Sequence, residues 1–210
     1  MTNLLLMADE KDDTLGSFFD SCIKTTQEHA SILDDCSLKV FNSNKLLTNI
    51  QYSCYIEGLK DLGFICGAFM HGNETSLLCG EQEIVTEDDS KKFKNSIVYF
   101  CSCNAGKKLL RTIVESGKAL AAVGYKDAFY VQKYFYMENV FSKCATSLFK
   151  YFFQNNSLID SIYKMQNEYT DAIDSVYHED PIVASFLLAD RDSIVYYGNK
   201  NLNYSNLSNL

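Results

Sequence analysis

The chain has 210 residues, 47% of them hydrophobic and 22% charged, with a formal net charge of −8. These fractions exclude a disordered or fibrous protein, and the length suits one domain or at most two small ones. The acidic balance excludes a non-specific nucleic-acid binder, which needs a basic face, and leaves room for a basic or neutral partner.

Met1-Thr2-Asn3 opens the chain without a basic segment, and the apolar run Leu4-Leu5-Leu6-Met7 is too short for a signal peptide. No window is apolar for about 18 residues, so no membrane-spanning helix is expected. The expected location is cytoplasmic, with no membrane and no direct nucleic-acid partner.

Residues 3–8 read as a strand. Residues 14–30 read as a helix entered through Asp13 or Thr14 as N-cap, with Leu15, Phe18, Phe19, Cys22 and Ile23 at helical spacing. Leu38 to Phe41 reads as a second strand, 44–60 as a helix, and Leu62 to Met70 as a buried parallel strand. A hairpin over 76–79 and 83–86 turns at Gly80-Glu81 and leads into the acidic turn Glu87-Asp88-Asp89-Ser90. Ser96 to Cys101 is apolar, β-branched and aromatic, the strongest strand signal in the chain. A helix over 107–116 stops at Gly117, and Ala119 to Val123 reads as a buried strand. Two long helices follow, 137–153 and 157–177, then a short helix that starts at Pro181 and a strand from Ile194 to Tyr197. Pro181 is the sole proline and no linker composition occurs, so 1–198 reads as one domain and 199–210 as a loose polar tail.

This alternation of strands and helices predicts an α/β fold with a mostly parallel sheet and helices on both faces. Working residues in such sheets stand at the carboxyl ends of strands. Two ends qualify. The 62–70 strand runs into His71-Gly72, and the 96–101 strand into Ser102-Cys103-Asn104-Ala105-Gly106. An imidazole beside a thiol can take its proton and leave a nucleophilic thiolate. The backbone N–H groups of Gly72 and Cys103 are natural donors to the oxyanion that forms next. A glycine after the histidine also lets a substrate approach the backbone closely.

The eight cysteines, at 22, 36, 54, 66, 79, 101, 103 and 144, include no CxxC pair, and only three histidines could join them. A zinc site is unsupported, and neither metal nor cofactor is expected. Most of these thiols fall in apolar runs and read as packing in a reducing compartment. Cys101 is the competing nucleophile, although its place inside a strand points it at the core. His29 and His178 lie at helix ends and read as structural. The aromatic run Phe129, Tyr130, Tyr134, Phe135, Tyr136 suits core packing or a partner-facing patch.

The segments Phe69-Met70-His71-Gly72 and Tyr99-Phe100-Cys101-Ser102-Cys103-Asn104-Ala105-Gly106 resemble the two motifs of caspase-like cysteine peptidases, and most of all the bacterial CHAT peptidases, relatives of caspases, separases and gingipains. Gly117 to Gly124 and the closing Val195-Tyr196-Tyr197-Gly198 fit the same pattern, though Met70 stands where the family often doubles its His-Gly. The resemblance implies a caspase-like three-layer sandwich. It implies His71 as base, Cys103 as nucleophile, and Gly72 and Cys103 N–H groups as the oxyanion hole. Family members that cut after Arg or Lys carry an acid beside the nucleophile, which puts Asp127 in that role. Glu81, Glu83, Asp88 and Asp89 are further acids between the two motifs. A preference for Asp would need an arginine there, and the chain has only Arg111 and Arg191. The implied function is a cysteine endopeptidase that cuts a protein substrate under the control of a partner protein, activating an effector in bacterial defence or programmed death. The other reading is an inactive caspase-like scaffold or sensor that binds a partner protein.

Overall fold

Short apolar runs bounded by polar turns build the centre of the fold. The computed structural model describes residues 2–43, 48–59, 62–132 and 135–207, without the side chains at 49, 50, 135 and 136. The elements in order are β1 (Thr2–Ala8), α1 (Gly16–Ala30), β2 (Cys36–Asn42), α2 (Asn49–Glu57), β3 (Phe64–Phe69), β4 (His71–Gly72), β5 (Ser76–Cys79) and β6 (Gln82–Thr86). A 3-10 segment (Glu87–Phe93) follows, then β7 (Ser96–Cys101), α3 (Leu109–Glu115), β8 (Ala121–Tyr125), α4 (Phe135–Phe153), α5 (Leu158–Val176), α6 (Pro181–Ser193), β9 (Ile194–Gly198) and α7 (Tyr204–Leu207). Positions 44–47 and 60 of the helix expected over 44–60 lie outside the described residues, as does Tyr134.

Six strands form the main sheet in the order β2-β1-β3-β7-β8-β9. The first five in that order are parallel. β9 runs antiparallel to β8. Every residue of β1, β3, β7 and β8 is buried. Strands covered on both faces have no wet side, so they read as continuous apolar runs without alternation. Leu4, Leu6 and Ala8 point into the layer made by α1, α4, α5 and α6. Leu5 and Met7 point into the opposite layer, with α2, α3 and the β5–β6 hairpin.

Four expectations need correction. The N-cap of α1 is Leu15, without a side-chain cap, and not Asp13 or Thr14; Asp12 Oδ1 instead accepts the Thr14 and Leu15 N–H groups in the turn that leads into the helix. The strand after α3 starts at Ala121, because Lys118 takes a left-handed turn (φ 64°) and Ala119 still closes the helix end on the Ile113 carbonyl. His71-Gly72 is itself a strand, β4, which joins the hairpin as a three-stranded antiparallel sheet. The tail is not loose through residue 207. The Leu202 and Lys200 carbonyls accept the Leu158 and Ile159 N–H groups, and Tyr204 packs edge-on against Phe153. Burial of Tyr204 and Leu207 outweighs the polar composition that suggested disorder.

From β1 the chain crosses to β2 on one side and returns to place β3 on the other. Loops after β1 and β3 therefore leave the sheet in opposite directions and open a crevice at their carboxyl ends.

Candidate active site

The last rung between β3 and β7 pairs Phe69 with Cys101. His71 and Cys103 each follow two residues later, so both leave the sheet at the same rim and the same height. Gly72 confirms that the two ends touch: a β-carbon built on it would collide with the Ser102 hydroxyl and lie 3.0 Å from the Ser76 carbonyl.

His71 is held from three sides. Its backbone pairs with Leu78 across β4 and β5. The hairpin is tied to the end of β1 by the Gly80 N–H, 2.8 Å from Asp9 Oδ2. Its ring stands edge-on to Phe19, with centroids 5.7 Å apart. Nε2 lies 3.1 Å from Asp12 Oδ2. Burial alone would raise the Asp12 carboxyl, but the Leu15 and Thr14 N–H groups and the His71 imidazole together bring it below its ordinary value. A carboxylate there accepts a hydrogen bond from the Nε2–H of a neutral imidazole and leaves Nδ1 as the basic nitrogen. Asp12 was not singled out in the sequence, because it is one of four acids between Asp9 and Asp13. The available signal was its place in the loop after the carboxyl end of β1.

Cys103 sits in a turn whose residue types follow from its geometry. Asn104 adopts φ 59°, a left-handed conformation that asparagine tolerates. Its N–H donates to the Asp127 carbonyl at 3.0 Å, and the Gly106 N–H to the Tyr125 carbonyl at 2.8 Å. Gly106 lies flat on β8, where a β-carbon would come within 2.9 Å of the Tyr125 carbonyl oxygen. Cys103 is half-buried, and its sulfur accepts the Phe129 N–H at 3.3 Å, with the Phe129 carbonyl 3.8 Å away. An N–H aimed at sulfur serves a thiolate better than a thiol, since the anion is the stronger acceptor.

Among the described residues no hydrogen bond joins Cys103 to His71; the sulfur is engaged by the Phe129 peptide and the imidazole by Asp12. Cys101 is 1% exposed, and burial pushes its thiol well above the ordinary range, which suits packing and not nucleophilic attack.

Asp127 is exposed beside the Cys103 turn, joined to it through its own carbonyl. Glu81, Glu83 and Asp88 are exposed. Asp89 is buried and caps the 3-10 segment, taking the Thr86 N–H at 2.9 Å. Arg111 packs over the Tyr197 ring, and Arg191 reaches Thr170 and Asp192. His29 lies in the last turn of α1, lowered by burial and by Lys150, and His178 stands against Tyr177. Phe129 packs into the core against Tyr125 and Phe18, and Tyr130 is half-exposed and stacked on Phe186.

Gly72→Ala tests the contact at the rim. The Ser102 hydroxyl is buried without a hydrogen-bond partner among the described residues, so Ser102→Ala is expected to leave stability unchanged or raised. Gly72→Ala alone is expected to cost about 2 kcal/mol, or roughly 4–8 °C in Tm, and Gly72→Ala with Ser102→Ala to regain more than half of that loss. Thermal unfolding of the three variants checks this.

No family model matches the chain, and no curated protein matches it. Among solved structures it is similar to the crystal structure of the Arg-specific cysteine proteinase gingipain R, with a TM-score of 0.57 and 11% identity, over 96% of this chain and 47% of that one. The chain thus spans just under half the length of that proteinase. At this identity the likeness speaks for the fold alone. The chain has the caspase-like α/β fold found in gingipain R, a mostly parallel six-stranded sheet between helical layers.

Proposed function

We propose that the chain is a cysteine endopeptidase in which Cys103 is the nucleophile and His71 the base. The observation that carries this reading is the equal offset of His71 and Cys103 past the Phe69–Cys101 rung, at the carboxyl rim of the neighbouring strands β3 and β7. The fold shared with a cysteine proteinase supports it.

In the reaction, His71 Nδ1 takes the thiol proton and the sulfur attacks the substrate carbonyl carbon. Asp12 keeps the opposite nitrogen protonated and steadies the imidazolium that forms. The Gly72 and Cys103 N–H groups receive the oxyanion. When the carbonyl re-forms, the C–N bond breaks and the leaving amine takes the proton from His71. Water, deprotonated by the same imidazole, then cleaves the thioester and frees the thiol. Asp127, exposed beside the turn, suits a basic side chain before the cleaved bond. The motifs support a finer reading as a CHAT-like peptidase of the cytoplasm that activates an effector protein in defence or programmed death, itself controlled by a partner. No helix among the described residues is long and apolar enough to cross a membrane.

One observation favours the second reading, an inactive scaffold or sensor: the sulfur is hydrogen-bonded to Phe129 and not to His71. Labelling with iodoacetamide at pH 6.5 separates the two. A peptidase is expected to alkylate at Cys103 at least about tenfold ahead of its other cysteines, with His71→Ala removing the advantage. Slow, uniform labelling would assign the chain to the scaffold class.

A further inference from the structure

Asp190 lies near the end of α6, fully buried. Its Oδ1 accepts the Tyr130 N–H at 2.9 Å. Its Oδ2 has no hydrogen-bond partner among the described residues. A carboxyl with one backbone partner is costly to bury, and an apolar side chain of similar size would pack at lower cost. What it holds in place explains its presence better than packing does.

It holds the segment between β8 and α4, whose first part has no strand or helix of its own. Four bonds fix residues 126–130. The Lys126 N–H donates to the Ser193 carbonyl at 2.9 Å, and the Asp127 carbonyl accepts from Asn104. The Phe129 N–H meets Cys103 Sγ, and the Tyr130 N–H meets Asp190. The Tyr130 N–H and the Phe129 carbonyl belong to one planar peptide and point in opposite directions. Holding the N–H toward α6 therefore turns the Phe129 carbonyl back toward the sulfur, which it faces at 3.8 Å. The Phe129 N–H lies in the preceding peptide, joined to this one at the Phe129 α-carbon, so the anchor at Tyr130 restrains it by fixing the position of Phe129 beneath Sγ.

We propose that Asp190 is the positioning residue of Cys103: by holding the Tyr130 N–H it orients the Phe129 carbonyl toward the sulfur and fixes Phe129, so that the Phe129 N–H stays on Sγ. The catalytic meaning of this rests on the peptidase reading; the geometry does not. The titratable groups facing Asp190 are Tyr169 of α5, Cys144 of α4 and Cys101 of β7, each kept neutral by burial. Burial likewise raises the Asp190 carboxyl to about 8, against the pull of the Tyr130 N–H. Asparagine thus reproduces the neutral acid, with a carbonyl oxygen for Tyr130, and leucine removes the acceptor.

The test is the rate of iodoacetamide alkylation at Cys103 in the full chain, read by mass spectrometry of the peptide that carries it. Asp190→Leu is expected to lower that rate about fivefold at pH 7 and to recover it at pH 9, where a thiol ionises without help. Asp190→Asn is expected to stay within about twofold of the parent at both pH values. An Asp190→Leu protein that alkylates at the parent rate at pH 7 overturns the proposal. Should that variant not fold, amide exchange in the unaltered chain decides. Tyr130 and Phe129 amides that exchange as slowly as a folded strand support the anchor, and exchange at the rate of a free peptide overturns it. Alkylation needs no substrate, so failure of the peptidase reading (no cleavage, no fast thiol) and failure of this one (a Cys103 rate indifferent to Asp190) give different results.

Discussion

Cys103→Ala is expected to lower peptide cleavage by at least about a thousandfold, whereas Cys101→Ala is expected to stay within about threefold of the parent. The two thiols are two residues apart on the same strand end, yet their surroundings differ. Cys101 is 1% exposed and packs in the layer of α1, where burial opposes its ionisation. Cys103 stands past the last rung, partly exposed, with a peptide N–H on its sulfur. Cys101→Ala removes a buried sulfur and costs about 1 kcal/mol of packing without touching the rim. A set of fluorogenic peptides that differ in the residue before the scissile bond serves as substrate, with Arg and Lys expected to lead because of the exposed Asp127. Full turnover by Cys103→Ala would remove it as nucleophile. A folded but inactive Cys101→Ala would move that role to Cys101.

The second large effect is on stability. The Asp190 carboxyl rises from 3.8 to about 8 on folding, mainly by burial. Between those values the folded chain keeps a proton that the unfolded chain has lost. Stability therefore falls as pH rises through this window, by roughly 1 kcal/mol per pH unit, and levels off above it. For a chain of this size that is about 2–4 °C in Tm per unit. Asp190→Asn cannot ionise and removes this slope, so the Tm difference between variant and parent should widen steadily from pH 5 to pH 8. Asp12, Asp89 and Glu168 are lowered by their partners and shift stability only at more acid pH, so they cancel from the comparison. Tm curves that stay parallel over the window would show that Asp190 ionises without cost.

The strands that carry the site were legible because they are buried on both faces. Phe64–Phe69 and Ser96–Cys101 have no polar alternation, and each ends abruptly in a residue with a functional side chain. The residue types after Cys103 suit their turn, since asparagine tolerates the left-handed conformation of Asn104 and a β-carbon on Gly106 would collide with β8. The antiparallel direction of β9 was not legible, because a single strand carries no mark of its neighbour's direction. The docking of 199–207 was missed for a related reason: Tyr204 and Leu207 find their partners on distant elements.

The sequence by itself determined the alternation of elements, and hence the rim on which His71 and Cys103 stand. Those properties follow from local periodicity and from burial along each strand, which one segment records alone. Only the tertiary structure decided which groups surround the two residues. Asp12 reaches His71 from the loop after β1. Phe129 reaches Cys103 from beyond β8, and Asp190 reaches Tyr130 from α6. The physical reason is that a hydrogen bond between distant segments leaves no spacing in the chain. It exists only once packing brings a buried carboxyl, a peptide plane and a sulfur to the same few ångströms.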